Sequence, residues 1–187
     1  MILMHSIILI GSLMRSEPIL VEEPHASFLI QSMGLSKKEI IIQPGKPRIG
    51  NIIKKMVDKN LINFNFVLVD ENTNKNSHSV FNRFTTIKYY NNYGIIIQKY
   101  SNIFLILFEN KLSQWLLKTA RDCNINLINI GLLNNVKGLD KDLKGIVLNP
   151  RFKNLLEEMI AKKCKAYVFL CELLKNRNDI ENFIKIH

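Results

Sequence analysis

The stretch whose reading decides the fold is Phe64–Asn74, Phe-Asn-Phe-Val-Leu-Val-Asp-Glu-Asn-Thr-Asn. A short apolar run rich in β-formers ends abruptly in acids and amides. A strand buried on both faces reads as such a run, and open α/β sheets bind their ligands beyond the carboxyl ends of their strands. The stretch therefore predicts a central strand that carries Asp70, Glu71 and Asn72 to a functional edge.

Upstream, Pro18–Glu22 is a second apolar run with an acidic end. Glu23-Pro24 turns the chain, and Pro24 suits the first turn of a helix, where its missing N–H is not needed. The helical pattern through Phe28, Leu29, Ile30 and Met33 stops at Gly34. Glu39–Gln43 reads as a strand and runs into the basic turn Pro44–Asn51. A helix over Ile49–Asn60 follows, with Ile52, Ile53, Met56 and Val57 on one side and Lys54, Lys55 and Lys59 on the other. Strand, helix, strand, helix, strand with short connections is the pattern of parallel βαβ units. Right-handed crossovers would bring Glu22, the Gly45 loop and Asp70 to one edge.

Downstream, the polar stretch Asn72–Asn92 reads as a loop with a short helix around Ser79–Arg83. Gly94–Gln98 and Ile103–Phe108 read as strands. Lys111–Arg121 reads as an amphipathic helix with Leu112, Trp115, Leu116 and Thr119 inward. Asn124–Ile130 is a candidate strand, Asn134–Asn149 a basic loop, and Pro150–Lys175 one long helix. Its lysines, Lys153, Lys162, Lys163 and Lys165, read as a solvated face. The expectation is a single three-layer α/β domain over residues 1–187, with a mainly parallel central sheet and a long carboxyl-terminal helix.

At 187 residues and 47% hydrophobic content, the chain can bury a sizeable core and does not read as disordered. The net charge of +10 and pI near 9.6 suit a polyanionic partner, nucleic acid first. A lysine-rich coding bias gives the same numbers. Cys123, Cys164 and Cys171 form no metal or disulfide framework by spacing. They read as buried free thiols, which implies a reducing cytoplasm. Met1–Met14 is apolar but lacks a basic leader and is shorter than a bilayer span. It reads as an edge strand or as an extension before a start at Met14. No later stretch reads as an integral membrane segment, and the sequence is compatible with a homo-oligomer.

Glu22 and Asp70 are the candidates for chemistry. Mg²⁺ or Mn²⁺ takes oxygen ligands and keeps several waters, so one or two carboxylates with substrate phosphate complete a site. Lys46 and Arg48 lie before a helix N-terminus, where anions are favoured, and His25 is close enough to Glu22 to reach a phosphate. Each acid also has a structural reading: Asp70 and Asn72 as turn caps, Glu22 as a partner of the following helix dipole.

Element order and motifs over residues 18–117 resemble the Toprim domain of topoisomerases, primases and overcoming-lysogenization-defect nucleases, closest to its small stand-alone members. Ile19-Leu20-Val21-Glu22-Glu23-Pro24-His25 looks like the family's first strand and acidic turn. Gly45–Lys54 is similar to the glycine-containing opening of the second helix, and Val67-Leu68-Val69-Asp70-Glu71-Asn72 to the Asp-x-Asp strand end. Leu112–Leu117 is similar to a Phe-Glu-x-Trp-Leu-Leu helix.

The resemblance implies Mg²⁺-dependent phosphodiester chemistry on nucleic acid, with Glu22 as general acid/base or ligand and Asp70 as the main metal ligand. Glu71 and Asn72 would be secondary. Glu23 stands where the family has glycine, Ala26 and Ser27 where the turn carries a second acid, Asn72 at the second Asp, and Ser113 at the helix acid. Glu109 lies one turn upstream of Ser113. A nuclease with altered ligands and a non-catalytic nucleic-acid- or partner-binding protein are both consistent with that pattern.

Overall fold

The computed structural model describes residues 17–59, 64–70, 78–144 and 150–187, save the side chains of Asp70 and Lys144. The expectations for Met1–Met14, Glu71 and Asn72 lie outside the described residues. The described residues form a mixed α/β fold around a six-stranded sheet, with helices on both faces.

The strands are β1 (Ile19–Val21), β2 (Ile40–Ile42), β3 (Phe66–Asp70), β4 (Thr85–Tyr90), β5 (Ile95–Tyr100) and β6 (Ile103–Phe108). Their spatial order is β2-β1-β3-β6-β5-β4. The first four in that order are parallel, whereas β5 and β4 run antiparallel to their neighbours. Every residue of β1 and β6 is buried, as their unbroken apolar runs require of strands covered on both faces. Ile41 and Ile42 of the edge strand β2 stay exposed.

The helices are α1 (Pro24–Ser32), α2 (Lys46–Lys59), α3 (Leu112–Asp122), α4 (Val136–Lys144), α5 (Pro150–Ala161), α6 (Lys165–Lys175) and α7 (Ile180–Ile186). On one face, Leu29 of α1, Trp115 and Leu116 of α3, Leu155 of α5 and Leu170 of α6 pack with Ile19, Leu68 and Ile106. On the other, Ile49, Ile53 and Met56 of α2 join Val80 and Phe84 over Leu20, Val67 and Leu105. No helix among the described residues is long and apolar enough to cross a membrane.

Five expectations are corrected. Thr85–Tyr90, read as part of a polar loop, is a strand: its exposed Thr85 and Thr86 suit an outermost position, and Gly94 at φ +60° closes the turn to β5. Asn124–Ile130 is no strand. The Asn126 side chain accepts from the Ile128 N–H at 3.0 Å, and Leu127–Ile130 curls into a 3-10 turn. Val136–Lys144, read as loop, is α4.

The single long helix over 150–176 is two helices. Lys163 takes φ +51°, and the Cys164 N–H donates back to the Met159 carbonyl at 3.0 Å, so α5 ends in a Schellman-type closure. The thiol reading is corrected as well. Cys123, at the end of α3, and Cys164, preceding α6, are joined as a disulfide with Cα atoms 5.6 Å apart; Cys171 alone is free.

Candidate functional site

The carboxyl ends of β1, β2, β3 and β6 share one edge of the sheet. The Glu22 N–H donates to the Leu68 carbonyl at 3.3 Å and the Gln43 N–H to the Val21 carbonyl at 2.9 Å, so the ladders continue just past β1 and β2. Asp70 closes β3 in register with Phe108 of β6, and Glu109 follows immediately. Neighbouring strands lie about 4.8 Å apart. Glu22, Asp70 and Glu109 thus end three adjacent strands.

β1 leads through α1 to β2 on one side, and β2 returns through α2 to β3 on the other. α1 and α2 cover opposite faces, so the chain changes direction between β1 and β3. Crevices at such a point are where open α/β sheets take their ligands. A small crevice opens there, lined by Glu22, Glu23, His25, Leu68, Val69 and Phe108.

Local sequence explains each wall. Glu23 is extended at φ −130° and Pro24 begins α1, as its fixed φ and missing N–H allow. The His25 Nε2 engages the Glu23 carboxylate, so two residues of the crevice wall hold each other. Gly45, at φ +88°, turns its carbonyl to accept from the N–H groups of Arg48 (3.0 Å) and Ile49 (3.3 Å). α2 therefore begins at Lys46, three residues before the expected start. Lys46 is half-buried and Arg48 exposed in that first turn. Glu71 and Asn72 are outside the described residues, and Asp70 is placed by its backbone alone.

The oxygen-donor chemistry of Glu22 and Asp70 suits a hard divalent cation that keeps its waters. Among the described residues there is no group of three or more His, Cys, Asp or Glu able to hold a metal ion. Glu109 turns the other way: its Oε2 lies 3.7 Å from where a Cβ on Gly94 would be, in a separate groove with Gln114, Lys118 and Arg121. Ser113, at the helix-acid position, is buried, and its hydroxyl finds no partner among the described residues.

Sequence reasoning passed over two features. Ser79–Arg83 seats His78 against Gly50 of α2, signalled in the chain only by a helical glycine. A cavity of about 540 Å³ opens at the opposite, amino-terminal edge among Asn65, Lys99, Phe104, Arg177, Asp179 and Glu181. Two of its cations are paired: Lys99 Nζ meets Glu181 at 2.5 Å, a hydrogen bond that holds the Glu181 carboxyl below its usual range, and Arg177 Nη2 meets Glu39 at 2.5 Å. At the carboxyl edge, by contrast, acidic strand ends and the starts of α1 and α2 come together around the smaller crevice. Neither family models, curated proteins nor solved structures match this chain.

Proposed function

We propose that the chain carries out Toprim-like, Mg²⁺-dependent phosphodiester chemistry on nucleic acid, with Mn²⁺ as a substitute ion. The observation that carries this reading is that β1 and β3, which Glu22 and Asp70 end, are adjacent parallel strands where the crossovers diverge. When bound, the ion neutralises charge on the phosphoryl oxygens. Glu22 and Asp70 would hold it, with Glu71 and Asn72 secondary. Glu22, lining the crevice, is the group to take or give the proton of the attacking or leaving oxygen. Lys46 and Arg48 add positive charge at the first turn of α2, where helix N–H groups already favour a phosphate. His25 is held by Glu23 in the crevice wall.

A second reading, a non-catalytic nucleic-acid- or partner-binding protein of the same fold, is favoured by one observation: a buried serine, not an acid, at position 113. The Cys123–Cys164 disulfide removes the free-thiol ground for a reducing cytoplasm, and neither reading depends on the compartment.

Calorimetric titration with Mg²⁺ and Mn²⁺, together with cleavage of labelled DNA and RNA, separates them. The enzyme reading expects metal binding that Asp70→Asn abolishes, and a rate loss on the order of 100-fold or more for Glu22→Gln. If neither ion binds, no strand is cut, and Asp70→Asn leaves nucleic-acid affinity unchanged, the non-catalytic reading stands.

A further inference from the structure

The sheet ends in β2, which among the described residues pairs with β1 alone. The Gln43 N–H donates to the Val21 carbonyl at 2.9 Å, and in a parallel ladder alternate residues make the bonds to one neighbour. The backbone of Ile41 and Gln43 therefore faces β1, and Ile42 turns its N–H and carbonyl outward. The Ile40 N–H is taken by the Lys37 carbonyl. An unpaired strand edge is a template for pairing, and native edges are blunted by charge, proline or a bulge. Ile40-Ile41-Ile42 carries none of these, and Ile41 and Ile42 are 40% and 44% exposed.

The two faces of this edge differ. Ile41 pairs with Leu20 and shares the face that α2 covers, whereas Ile42 pairs with Val21 on the face of α1. On α2, Arg48, Ile52, Lys55 and Lys59 follow at intervals of four, three and four, which makes one stripe. It runs along the flank opposite Gly50. Gly50 meets His78 and the turn on the β6 side, so the stripe lies on the side of β1 and β2. Ile52 packs against the cluster that holds Leu20, and Arg48, Lys55 and Lys59 are exposed. Lys37 and Lys38, also exposed, stand just before β2. The acid next to them, Glu39, is held by Arg177, and Asp58, the only acid of α2, has Lys54 one turn before it.

We propose that β2 takes up an extended acidic peptide as a further strand, with carboxylates on the α2 face and β-branched apolar side chains beside Ile42. Strand addition draws its affinity from main-chain hydrogen bonds and its specificity from alternate side chains. Every second residue of such a peptide points at the basic stripe, which calls for acids there. A second copy is the poorer occupant. Antiparallel pairing centred on Ile41 lays Lys37 and Lys38 of one chain beside Lys46 and Arg48 of the other, and like charges repel. A nucleic acid would meet the stripe but leave the Ile42 backbone and both isoleucines without partners. The proposal does not rest on the phosphodiester reading.

The probe is fluorescein-labelled Glu-Val-Glu-Val-Glu-Val-Glu, titrated into the full chain in EDTA. It is expected to bind and to slow amide hydrogen exchange at Ile42, leaving Ile41, whose N–H already faces β1, unchanged. Glu-Val-Glu-Pro-Glu-Val-Glu, equal in charge but lacking the central N–H, should bind roughly ten-fold more weakly. K55E/K59E should weaken the first peptide by roughly ten-fold. K137E/K141E, the same change at the same spacing on α4, should bind it like the parent. Ile42→Pro gives up only an outward N–H, so it should fold and lose the peptide.

No binding, equal binding of the two peptides, equal loss from both double variants, or unchanged exchange at Ile42 in the complex overturns the proposal. So does an Ile42 amide that exchanges slowly in the free chain while no peptide binds. Protection that grows with protein concentration then assigns the edge to a second copy, and protection that does not assigns it to the chain's own residues before Glu17. If Ile42→Pro does not fold, the peptide pair and the exchange at Ile42 decide. With no divalent ion present, failure of the crevice chemistry leaves this result intact, and failure here leaves the crevice untouched.

Discussion

A Cβ added to Gly50 would stand 2.3 Å from the Cβ of His78, so the turn that leads into β4 rests directly on the backbone of α2. His78 is held there by its own hydrogen bond, Nδ1 accepting from the Val80 N–H at 3.2 Å. The contact joins the second crossover helix to the segment that covers β6.

Gly50→Ala measures that contact. In an exposed helix the change adds about 1 kcal/mol of stability through propensity. Here the methyl meets atoms close to a backbone, and overpacking of this kind costs about 1–3 kcal/mol. Urea unfolding should show a net loss of up to about 2 kcal/mol. A gain would mean that His78 does not sit on Gly50.

The Tyr90 hydroxyl is buried without a hydrogen-bond partner among the described residues. An unsatisfied buried hydroxyl costs about 1 kcal/mol or more, so Tyr90→Phe should stabilise the protein at neutral pH by about 1 kcal/mol. Burial also raises the Tyr90 pKa above the ordinary 10.0. It raises that of Tyr167 likewise, against a lowering by the hydrogen bond to Ser32.

The sign follows from which state ionises first. Below pH 10 both tyrosines are neutral folded and unfolded, and their contribution is fully present. Above it the unfolded chain ionises first, and stability falls as pH rises towards the folded values. Unfolding free energy measured between neutral pH and pH 11 should drop in the parent and drop less in Tyr90→Phe and Tyr167→Phe.

Arg177 is 6% exposed and ties three segments together: Nη2 to Glu39 at 2.5 Å, Nη1 to the Leu174 carbonyl at 2.8 Å and Nε to the Glu17 carbonyl at 3.2 Å. Removing one partner of a buried pair costs about 3–5 kcal/mol. The Glu39 side chain is 25% exposed, so water screens part of this. Arg177→Met should therefore cost about 2–3 kcal/mol in chemical denaturation, and a loss below that range would show the three bonds to be weak in solution.

Cys123 and Cys164 are separated by 41 residues, for which the chain-entropy model gives about 4 kcal/mol of stabilisation from a cross-link. Thiol titration of the unfolded, unreduced protein should count Cys171 alone. A count that includes all of Cys123, Cys164 and Cys171 would restore the reading of a reduced protein.

The elements legible in the chain are those whose signal is local. β1, β3 and β6 are short apolar runs, and α3 shows its inward Leu112, Trp115, Leu116 and Thr119 at helical spacing; all four are buried. β4 was hidden because an outermost strand needs no apolar face, so Thr-Thr-Ile-Lys-Tyr-Tyr reads like the polar chain around it. The break between α5 and α6 was hidden because Lys163 adopts a left-handed conformation that glycine normally announces.

The candidate site divides in the same way. Sequence alone determined that Glu22 and Asp70 end apolar strands, that Pro24 opens a helix, and that Gly45 turns the chain before another. Those are properties of a few consecutive residues, set by backbone sterics and apolar burial. Only the tertiary structure decided that β1 lies beside β3 with β2 outside it, that Glu109 faces Gly94 and not the crevice, and that Cys123 meets Cys164. Such pairings form between residues tens of positions apart, and the free energy that selects them comes from closing both faces of the sheet at once.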